Sequence, residues 1–181
     1  MTYATESIHR HCTAQCRIDS PLGTMLLART TIGLAGAWFD SQKHHPAAID
    51  APERSDDSLL RETARQLRAY FAGEIDSFAL PLDLQGTAFQ RSVWRELLRI
   101  EAGATTSYGN IARALGIPSA SRAVGSAVGR NPVSVIVPCH RVVGTSGSLT
   151  GYAGGLDRKT SLLRIEAERA RRRGVAELEL H

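Results

Sequence analysis

Four consecutive residues place a thiol beside groups that could activate it: Pro138, Cys139, His140 and Arg141. They follow an apolar, β-prone run over residues 133–137, so we expect Cys139 at the end of a strand. A thiol beside positive charge ionises more readily, and the thiolate is the nucleophilic form. Because neighbouring side chains usually point apart, we expect His140 to activate Cys139 through a water molecule. A buried, inert cysteine is the alternative that this motif leaves open.

A catalytic imidazole is usually oriented by a third group, and Glu166 is the best candidate for it. Glu166 lies three and four residues after Leu163 and Leu162 in the predicted last helix, and therefore on their core-facing side. A carboxylate on that side needs a partner. The alternative is an exposed helical glutamate, which is how we interpret Glu168 and Glu177.

Upstream of the cysteine, the sequence predicts two short helices separated by a sharp break. The first covers residues 108–115, Gly-Ile-Pro at 116–118 ends it, and Ser119 can cap the second helix over residues 120–128. The second helix is expected to bury Ala123, Val124, Ala127 and Val128, and to present Ser121, Arg122, Gly125 and Ser126 on its other side. Small side chains allow close approach to another surface, and a lone arginine can contact phosphate or reach between bases. An ordinary helix pair packed through alanine and glycine is the alternative.

The chain of 181 residues has a formal net charge of +4, which is unevenly distributed. Residues 1–88 hold 8 Lys and Arg against 11 Asp and Glu, whereas residues 89–181 hold 14 against 7. Of the 22 basic residues, 20 are arginine, whose planar guanidinium suits phosphate contacts. An arginine-rich genome would explain the ratio of arginine to lysine but not the asymmetry between the halves.

Length and composition predict a folded protein of one compact domain or two small ones. No segment approaches the ~18 consecutive apolar residues that span a bilayer, and the N-terminus lacks the basic and apolar regions of a signal peptide. We therefore expect no membrane partner and a cytoplasmic location. Three cysteines, Cys12, Cys16 and Cys139, cannot all pair, so we expect reduced thiols, at least one of them available for chemistry or burial.

The first half has the pattern of a small antiparallel sheet and one helix. The expected strands are residues 16–18, 24–28 and 34–39. Apolar residues then recur at helical spacing until Gly73, and the alternation at residues 80–84 is compatible with a further strand. A capping box from Thr87 to Gln90 opens the next helix, which we expect to end at Gly103.

We place a domain boundary near residue 86. It divides the chain into an α/β domain over residues 1–86 and a mainly helical, basic domain over residues 87–181.

The basic run from Arg169 to Arg173 at the end of the last helix is interpreted as a solvated terminus.

Several motifs together closely resemble the methylated-DNA–protein-cysteine methyltransferases. The most specific is Pro-Cys-His-Arg-Val at residues 138–142, and Asn-Pro precedes it at 131–132. The other matching motifs are Asp-Ser-Pro-Leu-Gly at 19–23, Ser-Tyr-Gly at 107–109, Ser-Arg-Ala-Val-Gly at 121–125 and Gly-Tyr-Ala-Gly-Gly at 151–155. The resemblance implies a ribonuclease H-like N-terminal domain followed by a mainly helical C-terminal domain that contains a helix-turn-helix.

The resemblance also implies roles for the residues around the thiol. Cys139 would accept an alkyl group from O6 of guanine, activated through water, His140 and Glu166. Asn131 would brace the turn between the preceding helix and the Cys139 strand. Tyr108 would help rotate the target nucleotide out of the duplex and donate a proton to N3 of guanine.

Binding of DNA and of the flipped base is implied in the same way. Arg122 would fill the space left in the base stack, and its helix, with Ser121, Ala123 and Gly125, would enter the minor groove of double-stranded DNA. The pocket would be formed by Val142, Tyr152, Ala153, Gly154 and Lys159. Carbonyls of Cys139 and Val142 would read the exocyclic amine, the loop from Tyr152 to Gly154 would close over the base, and Lys159 would hold the loops.

A thioether on Cys139 is not hydrolysed at neutral pH, so the protein would act once. By default we expect a monomer, and we expect no cofactor. Three other functions compete with this interpretation. A cysteine hydrolase would turn over, a non-catalytic damage-binding protein would lack the acceptor thiol, and a helix-turn-helix regulator would not need the motif at residues 138–142.

Two features depart from some relatives. Ala153 stands where some of them carry a hydroxyl residue, so a hydrogen bond to O6 must come from the backbone amide. Others bind zinc through the N-terminal domain, and His9, His11, Cys12 and Cys16 offer four ligands in principle. Their spacing does not match a known pattern convincingly, and we expect no metal.

Overall fold

Three antiparallel strands form the sheet of the N-terminal half, in a computed structural model that describes residues 11–179. They are β1 (Ala14–Ile18), β2 (Met25–Arg29) and β3 (Leu34–Phe39), in the spatial order β1-β2-β3. The predicted sheet is therefore confirmed. Nearly every residue of β2 and β3 is buried, because the main core covers one face and a smaller cluster around Trp38 and Ile49 covers the other. Burial on both faces explains why these segments are apolar runs rather than alternating ones.

Helix α1 (Ser58–Ala72) packs against β1 and β2. Asp57 caps its N-terminus by accepting hydrogen bonds from the amides of Leu59 and Leu60. Gly73 ends the helix with φ +85°, a left-handed conformation that favours glycine. Most of the predicted apolar stripe is buried, including Tyr70, which is fully inaccessible, whereas Leu59 and Phe71 at its ends are half-buried.

The second half is mainly helical. Its helices are α2 (Ala88–Leu97), α3 (Tyr108–Ala114), α4 (Ser121–Gly129) and α5 (Leu156–Glu179). A 3-10 turn at Pro118–Ala120 separates α3 from α4, and another at Cys139–Arg141 leads into the short strand β5 (Val142–Val143). This strand pairs in parallel with β4 (Thr106–Ser107), which precedes α3 in the chain. This order confirms the predicted fold class, including the pair of helices with a sharp break.

Helix α2 begins where it is predicted to begin and ends earlier. The Thr87 hydroxyl accepts from the Gln90 amide, and the Gln90 side chain accepts from the Thr87 amide, which completes the capping box. The helix ends at Leu97 rather than Gly103, because the backbone tightens into i→i+3 turns at residues 99 and 100.

Helix α4 differs from the prediction in its start and in one buried position. It begins at Ser121, and the residue before it, Ala120, provides no side-chain cap, because the 3-10 turn moves Ser119 out of the capping position. Val124, Ala127 and Val128 are buried, whereas Ala123 is exposed. The indole nitrogen of Trp94 donates to the Ala127 carbonyl (2.8 Å) and thereby fixes α4 on α2.

The main hydrophobic core is continuous through both halves and joins Leu34, Tyr70, Trp94, Val137 and Leu162. The predicted strand at residues 80–84 is reduced to an isolated bridge between Leu82 and Leu34.

The domain boundary near residue 86 stays a prediction, as does the location in the cell. Among the helices within residues 11–179, none combines the length and apolarity needed to cross a bilayer.

The basic run at residues 169–173 is only partly solvated, contrary to the prediction. Arg169 is buried, and its Nη1 donates to the Ile75 carbonyl (2.6 Å) and to Asp76 (3.0 Å). Its guanidinium also lies over the Tyr70 ring, 4.7 Å from the ring centroid. Arg173 forms a second ion pair with Asp76. Helix α5 is thereby tied to the segment that follows α1.

Candidate active site

The cysteine sits after a turn that Asn131 holds together. The Asn131 side-chain amide donates to the carbonyl of Val137 (2.8 Å) and to Cys139 Sγ (3.0 Å), and its oxygen accepts from the Val133 amide (3.0 Å). Residues 133–137 are therefore not a strand, which corrects the prediction. Within the turn, Val135 has φ +72°, an unusual conformation for a β-branched residue.

The N-terminal sheet supports this turn. The Ala37 amide donates to the Pro132 carbonyl (2.9 Å), and the Ser134 amide donates to the Ala37 carbonyl (2.8 Å). The β-prone sequence of the turn thus forms one isolated bridge to β3, between Val133 and Ala37, instead of a strand of its own.

Replacing Asn131 by alanine is expected to lower the free energy of unfolding by about 2–3 kcal/mol. The variant leaves buried polar groups of the turn without their partners, and such groups cost about 1–3 kcal/mol each. Urea denaturation measures the effect, with Asn110→Ala, at an exposed position of α3, as the control. Equal stability of the two variants would contradict the bracing role.

The thiol of Cys139 is 4% exposed, and its burial raises its pKa to about 11. The hydrogen bond from Asn131 and the positive charge of Lys159 act in the opposite direction but are the smaller effects. Neighbouring positive charge thus favours the thiolate, as expected, but desolvation is the larger effect and the net pKa is raised.

His140 lies beside Cys139 in sequence, and its imidazole is fully buried. Its Nε2 lies 3.0 Å from Glu166 Oε1. Burial lowers the pKa of His140, so the ring is neutral near pH 7, and the ionised carboxylate requires the hydrogen on Nε2. Nδ1 is then the basic nitrogen, and it has no hydrogen-bond partner within residues 11–173.

Glu166 is buried, on the core-facing side of α5 where it is predicted to lie. Its carboxylate accepts hydrogen bonds from the Tyr70 hydroxyl (2.6 Å), from Arg141 Nη2 (2.8 Å) and from the Gly103 amide (3.1 Å), as well as facing His140. These donors outweigh the cost of burial and hold the pKa of Glu166 well below its usual range.

The sequence does not identify Tyr70 as a site residue, and it indicates Arg141 only as a positive charge near Cys139. Tyr70 lies 96 residues from Glu166 and fits the apolar stripe of α1, so no local pattern separates it from an ordinary core residue. For Arg141 the sequence does offer a signal, because it directly follows His140. A buried carboxylate that contacts one of these two residues can also contact the other.

Lys159 joins the two segments that flank the thiol. Its fully buried ammonium donates to the carbonyls of Val142 (2.6 Å) and Thr150 (2.8 Å). The Val142 carbonyl is thereby partly occupied and keeps one lone pair for another donor. The following loop, residues 150–155, contains Tyr152, Ala153 and Gly154 and borders the site.

The helix pair meets this loop through Tyr108. The Tyr108 hydroxyl lies 3.2 Å from the Thr150 carbonyl and 3.4 Å from the Gly151 carbonyl, and its one hydrogen is shared between them or points to either. The Tyr108 ring lies beside Gly125 of α4, where an added Cβ would be 3.6 Å from it. On the same helix Arg122 and Ala123 are exposed, and Ser121 and Gly125 are half-buried. The predicted residues of the helix pair and of the thiol site are therefore linked through one loop.

The four residues considered for zinc do not form a cluster in the described part of the chain. His9 lies outside the described residues. Cys12 packs in the cluster around Trp38, whereas Cys16 packs in the main core. Within residues 11–173, no group of three or more His, Cys, Asp and Glu is placed to hold a metal ion.

The site contains a buried cysteine followed by a histidine that contacts a carboxylate, and it lies beside a helix-turn-helix. This arrangement is typical of a protein in which a reactive cysteine lies next to a helical binding surface. Two family models match the chain: the ribonuclease-like domain of 6-O-methylguanine DNA methyltransferase over residues 16–84, and its DNA-binding domain over residues 88–168. The chain belongs to the methylated-DNA–protein-cysteine methyltransferase family.

Individual relatives support this assignment. A methylated-DNA–protein-cysteine methyltransferase of Mycobacterium leprae is 48% identical over 157 residues, which cover 86% of this chain and 92% of the relative. One from Methanosarcina acetivorans is 49% identical over 150 residues, covering 82% and 94%. The crystal structure of Mycobacterium tuberculosis OGT in complex with DNA matches with a TM-score of 0.80 and 45% identity, over 87% of this chain and 94% of that one.

Proposed function

We propose that this protein repairs DNA by direct reversal, transferring an alkyl group irreversibly from O6 of guanine to Cys139 Sγ. The observation that carries the proposal is the buried set of Cys139, His140 and Glu166, in which His140 Nε2 lies 3.0 Å from Glu166. Relatives named for this reaction cover more than four-fifths of the chain. The presence of Cys139 itself favours transfer over mere recognition of damage.

The proton of the thiol passes to His140 as Sγ attacks the alkyl carbon. Since Nδ1 is the basic nitrogen of His140, the proton goes to it through a water molecule, and the imidazolium that forms faces Glu166. The new S–C bond forms as the C–O6 bond breaks, and the electron pair stays with the purine. Tyr108 donates a proton to N3 of the leaving guanine, and its phenolate then takes a proton from solvent. The imidazolium of His140 returns the proton of the thiol to solvent, so that in net terms one proton moves from Cys139 to guanine.

The pocket residues hold the base in this proposal. Carbonyls of Cys139 and Val142 accept from the exocyclic amine, and amides of the loop at Tyr152, Ala153 and Gly154 meet O6. Lys159 keeps both segments in place through its bonds to Val142 and Thr150.

DNA is bound through α4 in the minor groove of a duplex, with the target nucleotide rotated into the pocket. Exposure of Arg122 and Ala123, and the small side chains at Ser121 and Gly125, support this docking surface. The excess of basic residues over 89–181 supplies contacts to phosphate. A monomer suffices, since every proposed role falls on one chain.

A stoichiometry experiment tests the proposal. Excess duplex carrying one O6-methylguanine is incubated with the protein, and the remaining O6-methylguanine is quantified after hydrolysis of the DNA. The thioether has no route to hydrolysis, so we expect one lesion repaired per chain and no further turnover. Continued turnover would favour a cysteine hydrolase, and no repair at all would reject the proposal.

Replacing Arg122 by alanine is expected to slow repair in duplex DNA roughly tenfold, while leaving the reaction with the free base O6-methylguanine much less affected. Rotating a nucleotide out of the stack costs a few kcal/mol, which an inserted side chain offsets in part. Single-turnover rates on both substrates measure the difference. Arg99→Ala, which removes an exposed positive charge from the C-terminal side of α2, is the control. Equal losses on the two substrates would remove the proposed role of Arg122.

A further inference from the structure

Arg158, in the first turns of α5, joins three separate segments of backbone. Its Nε donates to the Leu22 carbonyl (2.9 Å), its Nη1 to the Gly154 carbonyl (3.0 Å), and its Nη2 reaches the Asp40 carbonyl at 3.4 Å. The guanidinium also lies over the Phe39 ring, 4.6 Å from its centroid. Two of the three carbonyls and the ring belong to the N-terminal half, and the third belongs to the loop at residues 150–155.

The turn between β1 and β2 is shaped to admit this side chain. Gly23 lies there with φ +111°, and a Cβ at this position would stand 3.2 Å from Arg158 Nη2. A larger residue would therefore be strained in its backbone and would also crowd the guanidinium.

A second bond ties the same loop to the N-terminal half. The Lys43 amide donates to the Ala153 carbonyl (2.8 Å). Lys43 lies between Ser41 (φ +64°) and His44 (φ +63°), two residues in the left-handed region, so its amide is presented by an unusual backbone path after β3. Consecutive carbonyls of the loop are thus bound by the N-terminal half, one directly and one through Arg158.

The start and the end of the loop are held by different parts of the molecule. The Thr150 carbonyl faces the Tyr108 hydroxyl and accepts from Lys159, whereas the carbonyls of Ala153 and Gly154 accept from Lys43 and Arg158. Tyr152, between these points, packs against the main core that contains Cys139. The position of the loop over the thiol therefore depends on the N-terminal half.

We propose that Arg158 is a positioning residue that fixes the end of the 150–155 loop on the N-terminal half and so limits the size of the alkyl group admitted to Cys139. The inference rests on the proposed alkyl transfer. A guanidinium bound to three carbonyls leaves the loop little freedom, whereas a freed loop can move aside for a large group. A freed loop also places a methyl group less accurately, and misplacement by about 1 Å can cost about 10²-fold in rate.

The test compares Arg158→Ala with the unmodified chain on duplexes containing O6-methylguanine or O6-benzylguanine. We expect the ratio of the methyl to the benzyl transfer rate to fall by at least about tenfold in the variant. Arg158→Lys reaches fewer carbonyls and should give an intermediate ratio. Arg164→Ala, which removes an exposed arginine of the same helix, should leave the ratio unchanged.

Hydrogen exchange reports on the loop independently of catalysis. The Lys43 amide and the amides of residues 152–155 should exchange faster in Arg158→Ala, and those of β2 should not. An unchanged ratio of the methyl to the benzyl transfer rate would overturn the proposal. This includes the case in which both rates fall equally and the melting temperature is lower, which would indicate a purely structural role for Arg158. Failure of the unmodified chain to transfer either group would instead reject the proposed function. If Arg158→Ala does not fold, the ratio measured with Arg158→Lys decides.

Discussion

Replacing Cys139 by alanine is expected to abolish alkyl transfer and to leave binding to DNA nearly unchanged. The variant removes the only atom in the site that forms the new bond, so no slower route replaces it. The thiol is buried behind the turn, whereas the proposed DNA surface on α4 is exposed, so the loss of Sγ does not alter that surface. Repair is measured by loss of O6-methylguanine from a duplex, and binding by fluorescence anisotropy on the same duplex.

The matched control is Cys16→Ala. Cys16 is also a buried thiol, and burial raises its pKa as well, but it lies on β1 in the core of the sheet. The control should repair one lesion per chain, with only a modest loss of stability from the lost packing. Residual transfer by Cys139→Ala would refute the mechanism.

Replacing Glu166 by glutamine is expected to slow transfer by on the order of 10²-fold or more. A neutral amide does not enforce the hydrogen on His140 Nε2 and does not stabilise the imidazolium. The change also leaves Arg141 buried without its counter-charge, which costs about 3–5 kcal/mol. Transfer rates and urea denaturation measure both effects. Glu168→Gln, an exposed position on the same helix, is the control and should behave like the unmodified chain.

The stability effect has a defined pH dependence. Because folding lowers the pKa of Glu166 below its ordinary value of about 4.3, the carboxylate contributes its full stabilisation above that pH and loses it as the pH falls toward the folded-state pKa. The stability difference between the unmodified chain and Glu166→Gln should therefore narrow as the pH falls below about 4. A difference that stays constant from neutral to acidic pH, or a transfer rate no slower than that of Glu168→Gln, would contradict the assigned role of Glu166.

Local patterns were sufficient for most of the fold. Helix α1 and the capping box of α2 follow from apolar spacing and from Thr87 and Gln90, which act within one turn of each other. The wrong prediction of a strand at residues 133–137 has a physical cause. Five β-prone residues predict a strand, but Asn131 binds both ends of the segment and forces a turn through Val135.

The site was predictable where its signals are local. Cys139, His140 and the buried position of Glu166 come from one motif and one helical face. The partners of Glu166 could not be read in the same way, because Tyr70 contacts it across 96 residues. The net pKa of Cys139 could not be predicted for a similar reason, since neighbouring charges are visible in the sequence and the extent of desolvation is not.

In the proposed reaction Cys139 itself receives the alkyl group and keeps it. The protein is mixed with a duplex containing one O6-methylguanine, its intact mass is measured, and its peptides are mapped. We expect a gain of one methylene, saturating at one per chain and located on Cys139. No gain despite loss of the lesion, or a gain on another residue, would contradict it.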